Sequence, residues 1–156
     1  MKKVYFMCVE NAGRSQMAEA FANFHGKGKI MADSGGTKPS HEVNPTVVQV
    51  MREKGIDLSE NTPKPIDLKQ LQESDVMITM GCGAEGFCPA PLLERVIDWN
   101  IEDPKGKPIE KVLEIRDEIA RAGLVKVSAK KTSVELKQAS RETRDQEALI
   151  LVHPPL

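Results

Sequence analysis

The sequence predicts an α/β fold: a three-layer, doubly wound arrangement of a four-stranded parallel sheet with helices on both faces. Three observations carry that expectation. Short apolar runs at residues 4–9, 30–33, 76–80 and 96–99 alternate with segments of helical periodicity, the pattern of a parallel sheet covered on both sides. The chain has 156 residues, room for one domain with one hydrophobic core. Cys8, Cys82 and Asp103 all fall at or just after predicted strand ends, where open α/β sheets bind their ligands.

Taken in order, Val4-Tyr5-Phe6-Met7-Cys8-Val9 reads as a fully buried strand, broken by Glu10-Asn11-Ala12-Gly13. A helix follows from Arg14, with Met17, Phe21 and Phe24 on one face, His25 decorating its end and Gly26 as its stop. The second strand, residues 30–33, is closed by Ser34-Gly35-Gly36. Asn44-Pro45 supplies an N-cap and a first-turn proline for a helix that runs to Gly55. Residues 61–65 are a loop, 66–71 a short helix and 76–80 the clearest later strand, leading into a glycine- and cysteine-bearing loop at 81–90. Residues 96–99 make the fourth strand, with Trp99 in the core or at a pocket rim. After the turn at Asp103-Pro104-Lys105-Gly106, a helix over 108–122 carries Val112, Ile115 and Ile119 inward. The main domain is therefore expected over 1–122. Residues 123–156 form a C-terminal extension that fits an added strand, a dimer contact or a loose end equally.

A net charge of -1 argues against general nucleic-acid binding, though one arginine and a few backbone N–H groups suffice for a local anion pocket. No apolar run approaches a membrane span, and the run after Met1-Lys2-Lys3 is too short for a signal peptide. The expected location is the cytoplasm, where thiols stay reduced. Three cysteines are an odd count for a disulfide scaffold and point instead to structural or reactive thiols.

The strongest chemical signal is Cys8-Val9-Glu10-Asn11-Ala12-Gly13-Arg14-Ser15. A loop joining a strand to a helix N-terminus turns successive N–H groups inward, so residues 9–14 (Val9, Glu10, Asn11, Ala12, Gly13 and Arg14) are expected to hold a tetrahedral dianion. The same positive environment suits Cys8 as a thiolate nucleophile. Arg14 offers a planar fork to two oxyanion oxygens, which lysine could not match. Ser15 can donate a hydrogen bond to the sulfur, both before attack and on departure. Glu10 is an oddity, since a carboxylate in an anion loop must point to solvent or pair with a cation.

This segment resembles the active loop of the low-molecular-weight tyrosine phosphatase superfamily. Asn11-Ala12-Gly13-Arg14-Ser15-Gln16-Met17-Ala18-Glu19 is closer to its arsenate reductase branch than to its phosphatases. The resemblance spans roughly residues 3–122 and implies the superfamily's four-stranded parallel sheet. It also implies that Asp103, in Asp103-Pro104, is the general acid that protonates the departing oxygen. Asp98 and Glu102 are nearby alternatives for that role. The surroundings of Asp103, from Asp98-Trp99 to Lys107-Pro108 and then Ile115-Arg116-Asp117-Glu118-Ile119, also resemble the reductase branch.

Cys82 and Cys88 separate two chemistries. A phosphatase needs one thiol and restores it by hydrolysis, whereas a reductase must supply two electrons and relay the oxidation outward. Resemblance to thioredoxin-coupled reductases implies a relay in which Cys8 attacks arsenate, Cys82 attacks Cys8 to release arsenite, and Cys88 attacks Cys82. The external reductant is then thioredoxin. The spacing of Cys82 and Cys88 is one residue shorter than in that group, and single-cysteine relatives use a small thiol, so both reductants stay open. Inert loop cysteines are the plain alternative, and a zinc site is disfavoured by the five-residue gap. No tightly bound cofactor is expected. No metal ligand set is expected; the resemblance leaves open that Asn11, Glu19, Ser34 and Asp67 line the potassium site found in some reductases of the family, or that Asn11 and Ser34 are plain loop-bracing hydrogen bonders.

The main functional expectation is thus an arsenate reductase acting on arsenate or a phosphate-like oxyanion. The alternative is a low-molecular-weight tyrosine phosphatase working through a phosphocysteine with Cys8, Arg14 and Asp103. Phosphatases of the group follow the aspartate-proline with aromatic residues, where this chain has Lys105 and Gly106. A pocket without an aromatic wall suits a small inorganic ion better than a phenyl ester.

Overall fold

A computed structural model describes residues 1–81 and 96–123 of the chain. The elements, in order, are β1 (Lys2–Cys8), α1 (Arg14–His25), β2 (Ile30–Gly36), α2 (Pro45–Arg52), α3 (Leu68–Glu73), β3 (Val76–Thr79), β4 (Val96–Asp98) and α4 (Ile109–Gly123). The strands form one parallel sheet in the order β2-β1-β3-β4. This is the doubly wound α/β sheet expected from the alternating pattern. Among the described residues, no helix is long and apolar enough to cross a membrane.

Strand alternation divides β1 between two cores. Val4, Phe6 and Cys8 belong to the larger one, with Met17 and Phe21 of α1, Val47 and Met51 of α2, and Ile115 and Ile119 of α4. Tyr5 and Met7 face the other side, against Leu71 of α3 and Met77 of β3. Trp99 lies in the larger core, its ring 5.6 Å from that of Phe6. Cys8 is thereby the last residue of a strand buried on both faces, which fixes where its sulfur emerges.

β1 starts two residues earlier than expected and α2 ends at Arg52, before Gly55; β2 and α3 differ for identifiable local reasons. β2 runs through Gly35 and Gly36 rather than stopping before them. These glycines permit close approach instead of a turn: a Cβ on Gly35 would lie 2.5 Å from the Tyr5 hydroxyl, and one on Gly36 would lie 2.5 Å from the Val9 carbonyl oxygen. α3 starts two residues late because Asp67 is its N-cap, accepting from the N–H groups of Lys69 and Gln70. Asn44 caps α2 as expected, accepting from Thr46 N–H at 2.9 Å, with Pro45 in the first turn. Phe24 departs from the expected buried face of α1: it is 56% exposed and meets His25 edge-on. Ile30, packed against Gly26, fills that end of the core in its place.

Candidate active site

The loop between β1 and α1 is held from outside by its carbonyls. Those of Cys8, Val9, Glu10 and Ala12 accept from the N–H groups of Thr37, Lys38, Ser40 and Asn44 at 3.1, 2.7, 2.9 and 2.8 Å. Across a trans peptide, a carbonyl and the next residue's N–H point in opposite directions. With these carbonyls turned outward, the N–H groups of Val9, Glu10, Asn11 and Gly13 are turned toward the inside of the loop. The Asn11 N–H meets Cys8 Sγ at 3.2 Å, as this orientation requires. α1 opens at Gly13 with no side-chain cap, so its first N–H groups also remain available to an anion.

Asn11 organises the loop interior. It is fully buried and takes the left-handed conformation, φ 52°, which asparagine tolerates better than most residues. Its side-chain amide uses all four bonding positions: Nδ2 donates to Ser15 Oγ at 2.7 Å and Ser34 Oγ at 3.0 Å, and Oδ1 accepts from Gln16 Nε2 and the Lys64 N–H at 3.0 Å each. Ser15 Oγ lies 2.8 Å from Cys8 Sγ. Two donors, the Ser15 hydroxyl and the Asn11 N–H, can therefore address a thiolate at Cys8.

Arg14 is buried, and Nη1 is fixed by two carbonyls, Met80 at 2.9 Å and Ile101 at 2.8 Å. Sequence reading missed these anchors because main-chain acceptors leave no residue signature. Nη2 lies 3.6 Å from the Asp103 carboxylate, which is half exposed. Asp103 accepts from the Lys105 N–H at 3.0 Å, while a Cβ on Gly13 would be 3.0 Å from Pro104 Cγ. The Asp103-Pro104 turn thus rests directly on the start of α1. Cys8, Arg14 and Asp103 line one cleft of about 160 Å³, with Glu10, Glu42 and Lys105 on its rim. The odd carboxylate of Glu10 has its cation: Lys105 Nζ at 2.7 Å, which raises the Lys105 pKa.

The proposed acid alternatives are otherwise engaged. Asp98 Oδ1 accepts from Thr79 Oγ1, the Gly81 N–H and the Asn100 N–H, joining the ends of β3 and β4. Glu102 pairs with Lys111 at 3.4 Å. Cys82 and Cys88 lie outside the described residues.

A family model described as low molecular weight phosphotyrosine protein phosphatase matches residues 3–138. The chain belongs to this family. Its relatives include a putative arsenate reductase from Halobacterium salinarum, 43% identical over 122 residues, covering 75% of this chain and 84% of that protein. A glutaredoxin arsenate reductase from Synechocystis is 40% identical over 121 residues, covering 76% and 91%. A solved arsenate reductase in the phosphate binding state matches with a TM-score of 0.70 at 40% identity, covering 78% of this chain and 92% of that one.

Beside the family loop lies a second polar cluster. Ser34 Oγ donates to Glu19 Oε2 at 3.1 Å, and Lys64 Nζ sits 3.4 Å from Glu19 and 2.6 Å from Asp33. Burial pushes the Glu19 carboxyl above the usual carboxylate range. Burial also opposes ionisation of Asp33 and Lys64, but their mutual contact outweighs it, holding Asp33 low and Lys64 high. Asn11, Glu19 and Ser34 are brought together here, whereas the Asp67 carboxylate caps α3. Lys64 and Asp33 had no signal in the sequence, since nothing local marks a lysine as the partner of residues thirty and more positions away.

Proposed function

We propose that this protein is an arsenate reductase using Cys8 as nucleophile. The observation that carries the reading is the cleft itself: a cysteine at the foot of an inward N–H nest, an anchored Arg14 beside it, and Asp103 over the opening. Identity of 40–43% to reductases over three quarters of the chain supports the substrate. The rim residue after Asp103-Pro104 is a lysine paired with Glu10, not an aromatic wall for a phenyl ester.

In the proposed reaction the Cys8 thiolate attacks arsenic while Asp103 protonates the departing oxygen, which leaves as water. Arg14 and the loop N–H groups neutralise the charge on the remaining oxygens. Cys82 thiolate then attacks Cys8 Sγ, and the sulfur–arsenic bonding pair passes to arsenic. Arsenic(V) becomes arsenic(III), arsenite leaves, and Cys8 and Cys82 form a disulfide. Attack by Cys88 on Cys82 frees Cys8 and leaves a Cys82–Cys88 disulfide for an external thiol reductant. Thioredoxin is the reductant that the sequence resemblance implies.

The test is steady-state arsenate reduction coupled to NADPH consumption, once with thioredoxin and its reductase and once with glutaredoxin and glutathione. Turnover with thioredoxin alone supports the full relay. Turnover only with glutathione would retain the reductase and remove the three-thiol relay. Turnover with neither, against measurable aryl phosphate hydrolysis, would favour a phosphatase.

A further inference from the structure

The acid loop is held over the oxyanion loop at two points. On the inner side Pro104 rests against Gly13. On the outer side Lys105 is held through its N–H, which donates to Asp103 Oδ1 at 3.0 Å, and its ammonium, which reaches Glu10 Oε1 at 2.7 Å. Glu10 and Lys105 are 95 positions apart and both border the cleft that contains Cys8 and Arg14. An exposed ion pair contributes little to folding, so its consequence lies in where it stands.

We propose that the Glu10–Lys105 pair is a strap across the cleft mouth that selects a free tetrahedral oxyanion over its organic esters. This rests on the reading of the Cys8 cleft as an oxyanion site. A free oxyanion presents only small oxygens and fits beneath the strap. An ester must carry its organic group out past Asp103, where the Lys105 side chain crosses to Glu10. The strap therefore discriminates by obstruction rather than by added attraction. It has an electrostatic role as well. A lone Glu10 carboxylate on the rim would repel an incoming dianion, and Lys105 cancels that charge.

The test is calorimetric binding of inorganic phosphate and of phenylphosphonate, a non-hydrolysable ester mimic, to the full chain. In the charge-neutral double variant Glu10→Gln/Lys105→Ala, the preference for phosphate over phenylphosphonate should fall about fivefold, the most that displacing an exposed pair can impose. Lys105→Arg keeps the pair and should keep the wild-type preference. Lys105→Ala alone unmasks Glu10 and should weaken phosphate binding about three- to tenfold at low salt, with the difference fading toward 1 M salt. A preference within about twofold of wild type in the double variant would overturn the strap. Absence of phosphate binding in the wild type would instead overturn the oxyanion reading beneath it.

Discussion

The side chain of Asn11 donates to Ser15 Oγ at 2.7 Å, and this bond sets the direction of the Ser15 hydroxyl. With one acceptor position of Oγ taken, the proton is free to face Cys8 Sγ, 2.8 Å away. Asn11 is thus the residue through which the loop conformation and the surroundings of Cys8 Sγ are set together. Asn11→Ala should lower unfolding free energy by about 1–3 kcal/mol, because the buried Ser34 and Gln16 side chains and the half-buried Lys64 N–H lose a partner. Turnover should fall further than that stability loss explains. Urea unfolding and single-turnover rates on the same preparation check both.

Gly36 bears on the same loop from β2. A Cβ there would sit 2.5 Å from the Val9 carbonyl oxygen and 2.9 Å from the Asn11 nitrogen, both backbone atoms. Gly36→Ala must therefore displace the nest. Losing aligned N–H donors to a developing oxyanion costs about 10²–10³-fold in rate. Phosphate titration should show anion affinity falling with it, and unchanged affinity would contradict the placement of the nest.

Asp103→Asn removes the proposed proton donor while keeping its shape and its acceptor for the Lys105 N–H. General acid–base catalysis is worth about 10²–10⁴-fold, and arsenite formation should slow by that order. Phosphate affinity should hold or rise, because a carboxylate leaves the cleft. A large loss of affinity with an intact rate would place Asp103 in binding instead.

The Lys64 cluster predicts a pH signature. Asp33 is held below its ordinary 3.8, so its contribution is present above that value and is lost as pH falls through the lowered one. Lys64 is raised above 10.5, so its contribution is present below that value and is lost as pH rises through the raised one. Glu19, raised above 4.5 by burial, favours the fold when neutral and loses that as pH rises through its raised value. Lys64→Met should therefore cost about 1–2 kcal/mol at neutral pH, between an exposed and a buried pair. The gap to wild type should shrink below pH 3.8 and again above 10.5. Denaturant unfolding across that range checks it, and a gap independent of pH would contradict the pairing.

Much of this architecture was legible because it depends on local pattern. The apolar run before Cys8, the Asn44-Pro45 cap and the later strand at 76–79 all carry their signals within a few residues. The spacing of Cys8, Arg14 and Ser15 was legible for the same reason, since one strand–loop–helix unit holds all three. What escaped was long-range. Ser34-Gly35-Gly36 looked like a turn, because a glycine needed for close approach to Tyr5 or Val9 is identical in sequence to one needed for a bend. The carbonyls of Met80 and Ile101 that anchor Arg14 are indistinguishable from any others until the chain folds. Arg116, within a stretch that resembles the reductase branch, is a strut. It binds the Val50 carbonyl and Glu53 at the end of α2.

In the proposed reaction Cys8 delivers two electrons to arsenic, with Cys82 and Cys88 as relay. The most direct measurement is arsenite released in a single turnover by fully reduced protein without added reductant, followed by mass-spectrometric disulfide mapping. One equivalent of arsenite per chain and a Cys82–Cys88 disulfide are expected. No arsenite, with all three thiols still free and brisk hydrolysis of an aryl phosphate, would contradict this reaction.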